Sequence, residues 1–291
     1  MRILVTGSNG MLGKSVSKHF KKKNYKVILA NRKNFDLSNN KYLNYLNKKE
    51  NKIDYIIHCA AYTNVNESEK EEKHIYKINI SSLEKICKFC QKTNTTLIYP
   101  QTFMVLKSKK KYHLDNSIDY EPIGVYAHSK MKAEKIIKKN LSPKLYKIIR
   151  LGGFFGGGKN IDKNFVGIFL NKILPNAIKN NEKVIGIGDR VWQPTYTDDI
   201  AMAIEICLSS RKNYFQYASS KEVSFYRLAN NILKIIGERK IKIKKISNKK
   251  IIEQAERPQK VIIKSSDLFI KKKLNYSYLP RLKKYLNSYW D

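Results

Sequence analysis

The stretch RILVTGSNGMLG, residues 2–13, decides the fold that this sequence predicts. A short apolar run at 3–5 is followed by three glycines, each three residues after the last, and an amphipathic pattern then continues to about Lys22. This order is typical of a β-strand, a tight turn and a helix whose amino end faces a pyrophosphate. At the first strand–helix turn of a βαβ series, it predicts a dinucleotide-binding site. The candidate residues of that site are Gly7, Asn9, Gly10, Met11 and Leu12.

Alternating strand and helix patterns continue to residue 150. They predict an α/β fold with a Rossmann-type, doubly wound parallel sheet. Beyond residue 150 the pattern loosens into a glycine-rich loop and mixed segments. We therefore predict an NAD(P)-binding domain over residues 1–150 and a smaller α+β substrate-binding lobe over residues 151–291, interleaved with it. The predicted strands are 2–6, 26–30, 54–59, 96–100, 145–150, 184–187 and 241–246, and after the helix that ends near residue 22 the predicted helices are 71–92, 126–139, 164–179, 198–209 and 225–237.

The balance of charge is strongly basic, because 58 Lys and Arg residues against 24 Asp and Glu give a net charge of +34. Most of the basic residues are lysines scattered through almost every segment, whereas proteins that read nucleic acids rely on arginine for bidentate contacts. We therefore predict no specific nucleic-acid partner. A positive field would still speed the arrival of an anionic substrate such as a nucleotide sugar.

Membrane and metal functions are not expected. No apolar run approaches the roughly 18–20 residues of a membrane span, and no signal-peptide pattern opens the sequence, so we expect no membrane partner and a cytoplasmic location. Cys87 and Cys90 form a C-x-x-C inside a helical pattern rather than at a helix start, and the five histidines show no ligand spacing. We predict no metal site.

The residues after the second predicted strand bear on the choice of cofactor. At this position a carboxylate hydrogen-bonds the ribose 2′-hydroxyl of NAD, whereas arginine accommodates the 2′-phosphate of NADP. Arg32 follows the strand, and no acidic residue occurs before Asp36. We therefore favour NADPH, with NADH left open, and place Arg32 at the 2′-phosphate and Asp36 and Leu37 beside the adenine.

A second motif, YAHSK at residues 126–130, supplies candidate catalytic groups. Tyr126 and Lys130 are four residues apart on a predicted helix and so lie one turn apart on the same face. An ammonium favours a nearby phenolate, so we expect Lys130 to lower the pKa of Tyr126 below its ordinary value of about 10. Thr102, just after the predicted strand 96–100, is placed to hydrogen-bond a substrate carbonyl held between Tyr126 and a nicotinamide.

Longer stretches resemble the dTDP-4-dehydrorhamnose reductase family of the extended short-chain dehydrogenase/reductases. Residues 58–69, HCAAYTNVNESE, are similar to that family's NAAAYTxVDxAE, and residues 189–201 are similar to its DQxGxPTYxxDLA. The resemblance covers essentially the whole chain. The other matched positions are Asn79, Pro122, Tyr126, Lys130, Asn164, Phe165, Arg257 and Pro258.

This resemblance implies roles for particular residues. The family's catalytic Thr, Tyr and Lys correspond to Thr102, Tyr126 and Lys130, with the same interval between the first two. The cofactor positions of the family are kept as well. Those that follow the third and fourth predicted strands or lie on the catalytic helix are Cys59, Ala60, Ala61, Tyr62, Pro100, Tyr126 and Lys130.

The departures from the family's patterns fall on positions that face the sugar. Where the family has STDYVF, residues 101–106 read QTFMVL, so Phe103 replaces an Asp. Where it has RTSWVY, residues 150–155 read RLGGFF, so Gly153 replaces the Trp that lines the sugar pocket. Arg257 is a candidate for the substrate diphosphate, with a structural ion pair as the alternative. The candidate substrate-binding residues are Thr102, Phe103, Tyr126, Gly153, Asn164, Trp192 and Arg257.

The implied activity is an NADPH-dependent reduction of a nucleotide-linked 4-keto-6-deoxy sugar. A hydride passes from the nicotinamide to the ketone carbon while Tyr126 donates the proton, Lys130 holds the nicotinamide ribose and Thr102 orients the carbonyl oxygen. Two alternatives stay open: a nucleotide-sugar epimerase with tightly bound NAD, and a non-catalytic, nucleotide-binding regulatory subunit of the same fold. A 4,6-dehydratase would need Asp and Glu where Phe103 and Met104 stand. The oligomeric state, including a homodimer, also stays open.

Overall fold

A computed structural model describes residues 1–47, 53–108, 110–113, 119–248 and 255–289 of the chain. The strands are β1 (Arg2–Thr6), β2 (Lys26–Ala30), β3 (Tyr55–His58), β4 (Thr96–Thr102), β5 (Lys110–Tyr112), β6 (Tyr146–Leu151), β7 (Phe154–Phe155), β8 (Val184–Gly188), β9 (Val191–Trp192), β10 (Thr195–Tyr196), β11 (Tyr214–Tyr217), β12 (Val223–Ser224), β13 (Lys242–Ile246) and β14 (Val261–Ile263). The helices are α1 (Met11–Lys22), α2 (Lys41–Asn47), α3 (Val65–Ser68), α4 (Glu72–Tyr76), α5 (Ser82–Thr93), α6 (Gly124–Asn140), α7 (Phe165–Ile168), α8 (Leu174–Lys179), α9 (Thr197–Leu208), α10 (Phe225–Ile236), α11 (Asp267–Lys271) and α12 (Tyr278–Asn287). Single π-helical turns, Lys77–Ser81 and Phe169–Ile173, join α4 to α5 and α7 to α8.

The main sheet is parallel and has the strand order β11-β6-β4-β3-β1-β2. The chain first adds β2 on one side of β1 and then returns to add β3 on the other side, so the strand order reverses at β1. In open α/β sheets, ligands bind beyond the carboxyl ends of the strands at such a reversal. Thr6, the last residue of β1, pairs in register with His58, the last residue of β3. These two residues therefore mark the expected binding crevice.

Helices cover both faces of this sheet, which explains its nearly continuous apolar strands. Ile3 and Val5 pack in one core cluster with α1 and α9, while Leu4, between them, packs in another with α5 and α6. Within α1, Leu12, Val16 and Phe20 recur every fourth residue and are buried. The alternate residues of β1 and the residues four apart in α1 therefore pack together in one core cluster.

Residues after β6 build a second core and also contribute to the first. Phe155, Phe169, Leu228 and Leu282 are fully or almost fully buried in a separate cluster formed by β7, α10, α12 and the segment around α7 and α8. In contrast, α9 packs with α1, and β11 pairs with β6 at the edge of the main sheet. The two predicted parts are therefore intertwined in space, and the division after residue 150 stays a prediction; residues 249–254, 290 and 291 of the second part lie outside the described residues.

The predicted Rossmann-type fold class is confirmed, and each predicted strand and helix has a counterpart within a few residues of its expected bounds. The helix predicted at 71–92 contains the π-helical turn Lys77–Ser81, and the helix predicted at 164–179 contains the π-helical turn Phe169–Ile173. In the main sheet β11 has no predicted counterpart, because its four residues include Gln216 and show neither an apolar run nor a clear alternation. The elements outside that sheet that were also not predicted are β5, β7, β9, β10, β12, β14, α2, α3, α11 and α12. Within the described residues, no helix is both long enough and apolar enough to cross a bilayer.

Candidate active site

The glycine loop between β1 and α1 brings backbone segments unusually close together. Gly7 has a φ of +62°, a left-handed conformation that glycine adopts without steric cost. A Cβ on Gly7 would lie 2.8 Å from the backbone nitrogen of Ala60, and a Cβ on Gly13 would lie 2.1 Å from the carbonyl oxygen of Gly7. Glycine is therefore required at both positions by backbone atoms, and the loop folds tightly against both α1 and the segment after β3.

This loop has the donors that a pyrophosphate needs. Because α1 begins at Met11, the first-turn amides of Met11, Leu12 and Gly13 have no acceptor within the helix. Ser8 Oγ is sealed from solvent and has no hydrogen-bond partner among the described residues. Asn9 is exposed at the tip of the loop. The predicted dinucleotide residues therefore fit the group expected there.

The residues predicted to choose between NADPH and NADH lie together just beyond β2, the strand next to the glycine loop. Arg32 is exposed, and Leu37 is buried. Burial raises the pKa of Asp36, but hydrogen bonds from Ser38 and the charge of Arg32 outweigh it and hold the pKa below its ordinary value. Asp36 is therefore ionised, and the exposed Arg32 guanidinium is accessible to a second anion.

The segment after β3 is held by side chains from distant elements. Ala60 N donates to Thr6 Oγ1 at 3.1 Å, and Thr6 Oγ1 shares a hydrogen bond of 3.0 Å with His58 Nδ1. Burial and the nearby Lys130 lower the pKa of His58 to about 3, so its ring is neutral. His58 is thus a packed, hydrogen-bonded residue. The half-buried residues that follow it are Cys59, Ala60, Ala61 and Tyr62.

Asn79, in the π-helical turn, connects this segment to the predicted catalytic helix α6. Its Oδ1 accepts from Tyr62 N at 2.8 Å, and its Nδ2 donates to Tyr62 O at 3.2 Å and to Ser129 Oγ at 3.0 Å. Ser129 Oγ in turn donates to the carbonyl oxygen of Tyr126 at 2.7 Å. The extra residue of a π-helical turn turns a side chain away from the regular helical face. Here it allows one buried amide to fix two parts of the site.

The side chains of Thr102 and Tyr126 meet at the carboxyl end of β4. Tyr126 lies in the first turn of α6, is 9% exposed and hydrogen-bonds with Thr102. Thr102 Oγ1 also accepts from Met104 N at 3.2 Å, which fixes the rotamer of the threonine. A phenol and a hydroxyl therefore lie together at the carboxyl end of β4, and their catalytic roles stay a prediction.

Lys130 lies one turn further along α6 and points at the end of β4. Its Nζ donates to the carbonyl oxygen of Pro100 at 3.2 Å and lies 4.0 Å from the centre of the Tyr99 ring. Burial lowers the pKa of Lys130 to about 7, although Cys59 and Glu134 act in the opposite direction. The amine is therefore only partly protonated near neutral pH.

The expected effect of Lys130 on Tyr126 is wrong. Burial raises the pKa of Tyr126 to about 12, and it is the hydrogen bond with Thr102 that opposes this rise. The physical reason is that the amine is itself desolvated and directed at a backbone carbonyl, so it contributes little to the stability of a phenolate. At neutral pH Tyr126 is a protonated phenol and hence a proton donor.

A buried link between β4 and α6, the two elements that carry the predicted catalytic residues, was not predicted from the sequence. Gln101 Oε1 accepts from Thr102 N at 2.9 Å, and Gln101 Nε2 donates to Lys130 O at 3.0 Å. The same Nε2 donates to Glu134 Oε2 at 2.9 Å. One fully buried amide therefore holds the end of β4 in register with α6.

Glu134 is the centre of this network. Its side chain is 1% exposed and accepts from Tyr120 Oη at 2.6 Å and from Arg150 Nη2 at 3.4 Å. Burial raises its pKa, but Arg150 and the hydrogen bonds outweigh burial and lower it. A sequence signal was available, because Glu134 is the sole acidic residue of α6 and follows Lys130 by one turn on the same face.

The predicted sugar-facing residues Phe103, Gly153 and Trp192 lie close together past the carboxyl edge. Phe103 packs against the cluster that contains Tyr126 and also against the cluster that contains Trp192. The indole of Trp192 occupies the space that a side chain at position 153 would need. Their contact with a substrate stays a prediction.

The side chains of Asn164 and Arg257 form hydrogen bonds within the protein. Asn164 Nδ2 donates to a backbone carbonyl at 2.5 Å and lies 3.9 Å from Met11 Sδ, which ties the lobe to the glycine loop. Arg257 Nη2 donates to Asn66 Oδ1 at 2.7 Å on α3. Val65, the neighbour of Asn66, packs with the Tyr126 cluster. Both residues are thus near the crevice, and their binding of substrate stays a prediction. In the part of the chain that the structure describes, no three His, Cys, Asp or Glu side chains form a metal-binding group.

Comparison with protein families gives one match over almost the entire chain. The model of the family described as RmlD substrate binding domain matches residues 1–289. A curated relative, a dTDP-4-dehydrorhamnose reductase of Aggregatibacter actinomycetemcomitans, is 28% identical over 204 residues, which are 70% of this chain and 66% of that protein. The chain therefore spans just under two thirds of this relative's length.

Two further comparisons extend over most of the chain. A dTDP-4-keto-6-deoxy-D-glucose reductase of Streptomyces niveus is 23% identical over 265 residues, covering 90% of this chain and 88% of that protein. The crystal structure of a dTDP-4-dehydrorhamnose reductase of Bacillus anthracis in complex with NADP superposes with a TM-score of 0.84 over 98% of both chains at 23% identity. That structural similarity agrees with the Rossmann-type fold.

Proposed function

The chain belongs to the RmlD substrate binding domain family, and on that basis we propose that it is an NADPH-dependent reductase of a nucleotide-linked 4-keto-6-deoxy sugar. It acts as an NAD(P)-dependent oxidoreductase that converts a ketone to an alcohol. The names of the two curated relatives, both reductases of dTDP-linked sugars, support this substrate class.

The observation that carries the proposal is that Thr102, Tyr126 and Lys130 lie together at the carboxyl end of β4, with Lys130 close to the segment after β3 that packs on the glycine loop. They come from the end of β4 and from two turns of α6, and are held together by Gln101 and by the Thr102–Tyr126 hydrogen bond. A non-catalytic nucleotide-binding scaffold has no need of this arrangement.

The cofactor is held along the carboxyl edge of the sheet. The first-turn amides of α1 bind its pyrophosphate, Arg32 binds its 2′-phosphate, and Asp36 and Leu37 flank its adenine. When bound, NADPH supplies the hydride. The residues that line its nicotinamide half are Cys59, Ala60, Ala61, Tyr62 and Pro100.

The protein's own side chains manage the proton. Thr102 and Tyr126 hydrogen-bond the carbonyl oxygen of the substrate, and Tyr126 gives its proton to that oxygen as negative charge develops there. The raised pKa of Tyr126 suits this direction, because the phenol is fully protonated at neutral pH. Lys130, with a pKa of about 7, is able to return a proton to Tyr126 and to hold the nicotinamide ribose.

The test is the variant Tyr126→Phe, assayed by NADPH oxidation with dTDP-4-dehydrorhamnose and dTDP-4-keto-6-deoxy-D-glucose. We expect kcat to fall about 10²–10⁴-fold because the proton donor is lost. The affinity for NADPH, measured by fluorescence titration, stays within about twofold. Tyr76→Phe is the matched control, since the Tyr76 hydroxyl only accepts a hydrogen bond from Lys132 on the far side of α6.

Other outcomes distinguish the two alternatives. Co-purification of tightly bound NAD, with interconversion of nucleotide sugars and no net NADPH oxidation, would favour an epimerase. Binding of NADPH with no turnover of any 4-keto sugar in wild type would favour a non-catalytic nucleotide-binding subunit. Unchanged turnover in Tyr126→Phe would contradict the proposed role of the phenol.

A further inference from the structure

Position 153 has room only for a glycine because the side chain of Trp192 lies against it, and not because of its backbone conformation. Its φ lies outside the left-handed region, so the backbone there accepts any residue. A Cβ on Gly153 would, however, lie 1.3 Å from Nε1, 2.3 Å from Cε2 and 2.4 Å from Cδ1 of Trp192. Trp192 therefore fills the volume that a side chain at 153 would otherwise take.

This contact lies beside the catalytic pair. β6 ends at Leu151, whose register partner on β4 is Thr102, so Gly153 stands two residues past that pair. Phe103, the residue after Thr102, packs with both the Tyr126 cluster and the Trp192 cluster. Phe103 therefore links the surroundings of the phenol to those of the Trp192 indole.

The indole is held by an aromatic stack and keeps one free polar atom. Its ring meets Phe225 edge-on, with centres 5.6 Å apart, and Phe225 lies flat on Phe165 at 4.4 Å. Trp192 retains 7% exposure. Its Nε1 donates to no described residue and is not among the polar atoms that packing seals from solvent. Since a buried indole N–H ordinarily has a partner, this donor is available to a ligand.

The residue types at these two contacting positions are exchanged relative to the family patterns. In the family patterns quoted above, Trp stands at the position of Gly153 and Gly stands at the position of Trp192. This chain has the two residue types reversed. Because the two positions are in contact, the exchange keeps one indole at this place but brings it in from β9 instead of from the end of β6.

We propose that Trp192 is a specificity-determining residue, which contacts the hexose ring of the substrate and donates a hydrogen bond from Nε1 to a sugar hydroxyl. The proposal rests on the proposed reductase function. An indole face covers the apolar C–H face of a sugar, and a donor fixed beside it rejects a sugar that lacks the hydroxyl it meets. Since the indole enters from a different strand, the hydroxyl selected differs from the one that a Trp at 153 would select.

The experiment is a reciprocal exchange made from Trp192→Gly, Gly153→Trp and the double variant, with Trp192→Phe added. Stability is followed by thermal unfolding, and kcat and KM are measured with the two dTDP-linked ketones named above. Gly153→Trp alone should lower the unfolding midpoint by about 5 °C or more through overcrowding. The double variant should regain most of that loss and should change the ratio of kcat/KM between the two ketones.

The single variants separate packing from hydrogen bonding. Trp192→Gly should raise KM for the preferred ketone about 10–100-fold, with NADPH affinity unchanged. Trp192→Phe keeps an aromatic wall and removes only the donor, so KM should rise about 2–10-fold. If neither variant alters KM, or the ratio between the ketones is the same in wild type and the double variant, the proposal is overturned.

A second readout tests Trp192 even if wild type reduces neither ketone. The sequence has two tryptophans, Trp192 and Trp290, so Trp192→Phe reports the background fluorescence. Quenching of the Trp192 signal by dTDP-4-keto-6-deoxy-D-glucose but not by dTDP alone would support the sugar contact although the proposed reductase function had failed. No difference between the two ligands, in a protein that binds both, would overturn it.

Discussion

The glycine loop after β1 and the crevice wall at Gly153 use the same amino acid for opposite reasons. In the loop, the atoms that forbid a side chain at Gly7 and Gly13 are backbone atoms, so no change of side chain elsewhere would make room. At Gly153 the forbidding atoms belong to the indole of Trp192, thirty-nine residues further along the chain. The loop is fixed by the local path of the chain, whereas the wall is fixed by two distant residues that fit each other.

With the proposed function, this contrast separates the part of the site that would bind a group common to many ligands from the part that would select a particular sugar. Any pyrophosphate needs the same close approach of amides, so the loop tolerates little change. At the wall, Gly153 must be small because Trp192 is large, so a larger residue at 153 requires a smaller one at 192. The predicted catalytic helix α6 lies between these extremes, since its motif is local but its position depends on Gln101, Glu134 and Arg150.

The largest expected effect tests that dependence. Replacing Glu134 with Ala leaves the buried Arg150 without its carboxylate, and losing one partner of a buried ion pair typically costs about 3–5 kcal/mol. We expect the free energy of unfolding to fall by that amount in urea denaturation. If the loss is instead below about 1 kcal/mol, the position of α6 does not depend on the Glu134–Arg150 pair, and its local sequence is enough to hold it.

A surface pair offers the matched control. Glu121 forms a 3.0 Å ion pair with Lys107, and both side chains are about half exposed. An exposed pair contributes at most about 1 kcal/mol. Glu121→Ala should therefore leave the unfolding curve nearly unchanged.

The next effect concerns the glycine loop itself. In Gly13→Ala the new Cβ would meet the carbonyl group of Gly7, which is unable to move without opening the loop. We expect a loss of about 1–3 kcal/mol in stability, together with a loss of NADPH binding measured by titration. Gly186→Ala, where the nearest atom is the flexible side chain of Ile246 at 3.2 Å, should cost less and leave binding intact. Equal effects in the two variants would remove the distinction between backbone and side-chain constraint.

The smallest effect is the pH dependence of turnover. Burial lowers the pKa of Lys130 to about 7, so the protonated amine is lost as the pH rises through 7. If that proton resupplies Tyr126, kcat/KM for ketone reduction should fall above pH 7, by up to about tenfold per pH unit. Lys132→Met, on the exposed side of the same helix, should keep this profile, and Lys130→Met should lose it. A flat profile in wild type would argue that Lys130 only positions the cofactor.

The sequence predicted five of the six strands of the main sheet because their signals are local. The apolar runs of β1 and β3 and the four-residue spacing in α1 are each legible within about ten residues. β11 was missed because its membership in the sheet comes from pairing with β6, more than sixty residues earlier. The pKa of Tyr126 was predicted in the wrong direction for a related reason: spacing places Lys130 near it, but burial and the amine's turn toward Pro100 depend on packing.

By itself, the sequence predicted the glycine loop, five of the six strands of the main sheet and the candidate residues Thr102, Tyr126 and Lys130, since each depends on the local pattern of a few consecutive residues. Only the tertiary structure decided that Gln101 joins Thr102 to Lys130, that Glu134 is buried with Arg150, and that Trp192 fills the place of a side chain at 153. These contacts join residues far apart in the chain, and their energies depend on desolvation and on the fit of shapes. Neither property is present until the chain has folded.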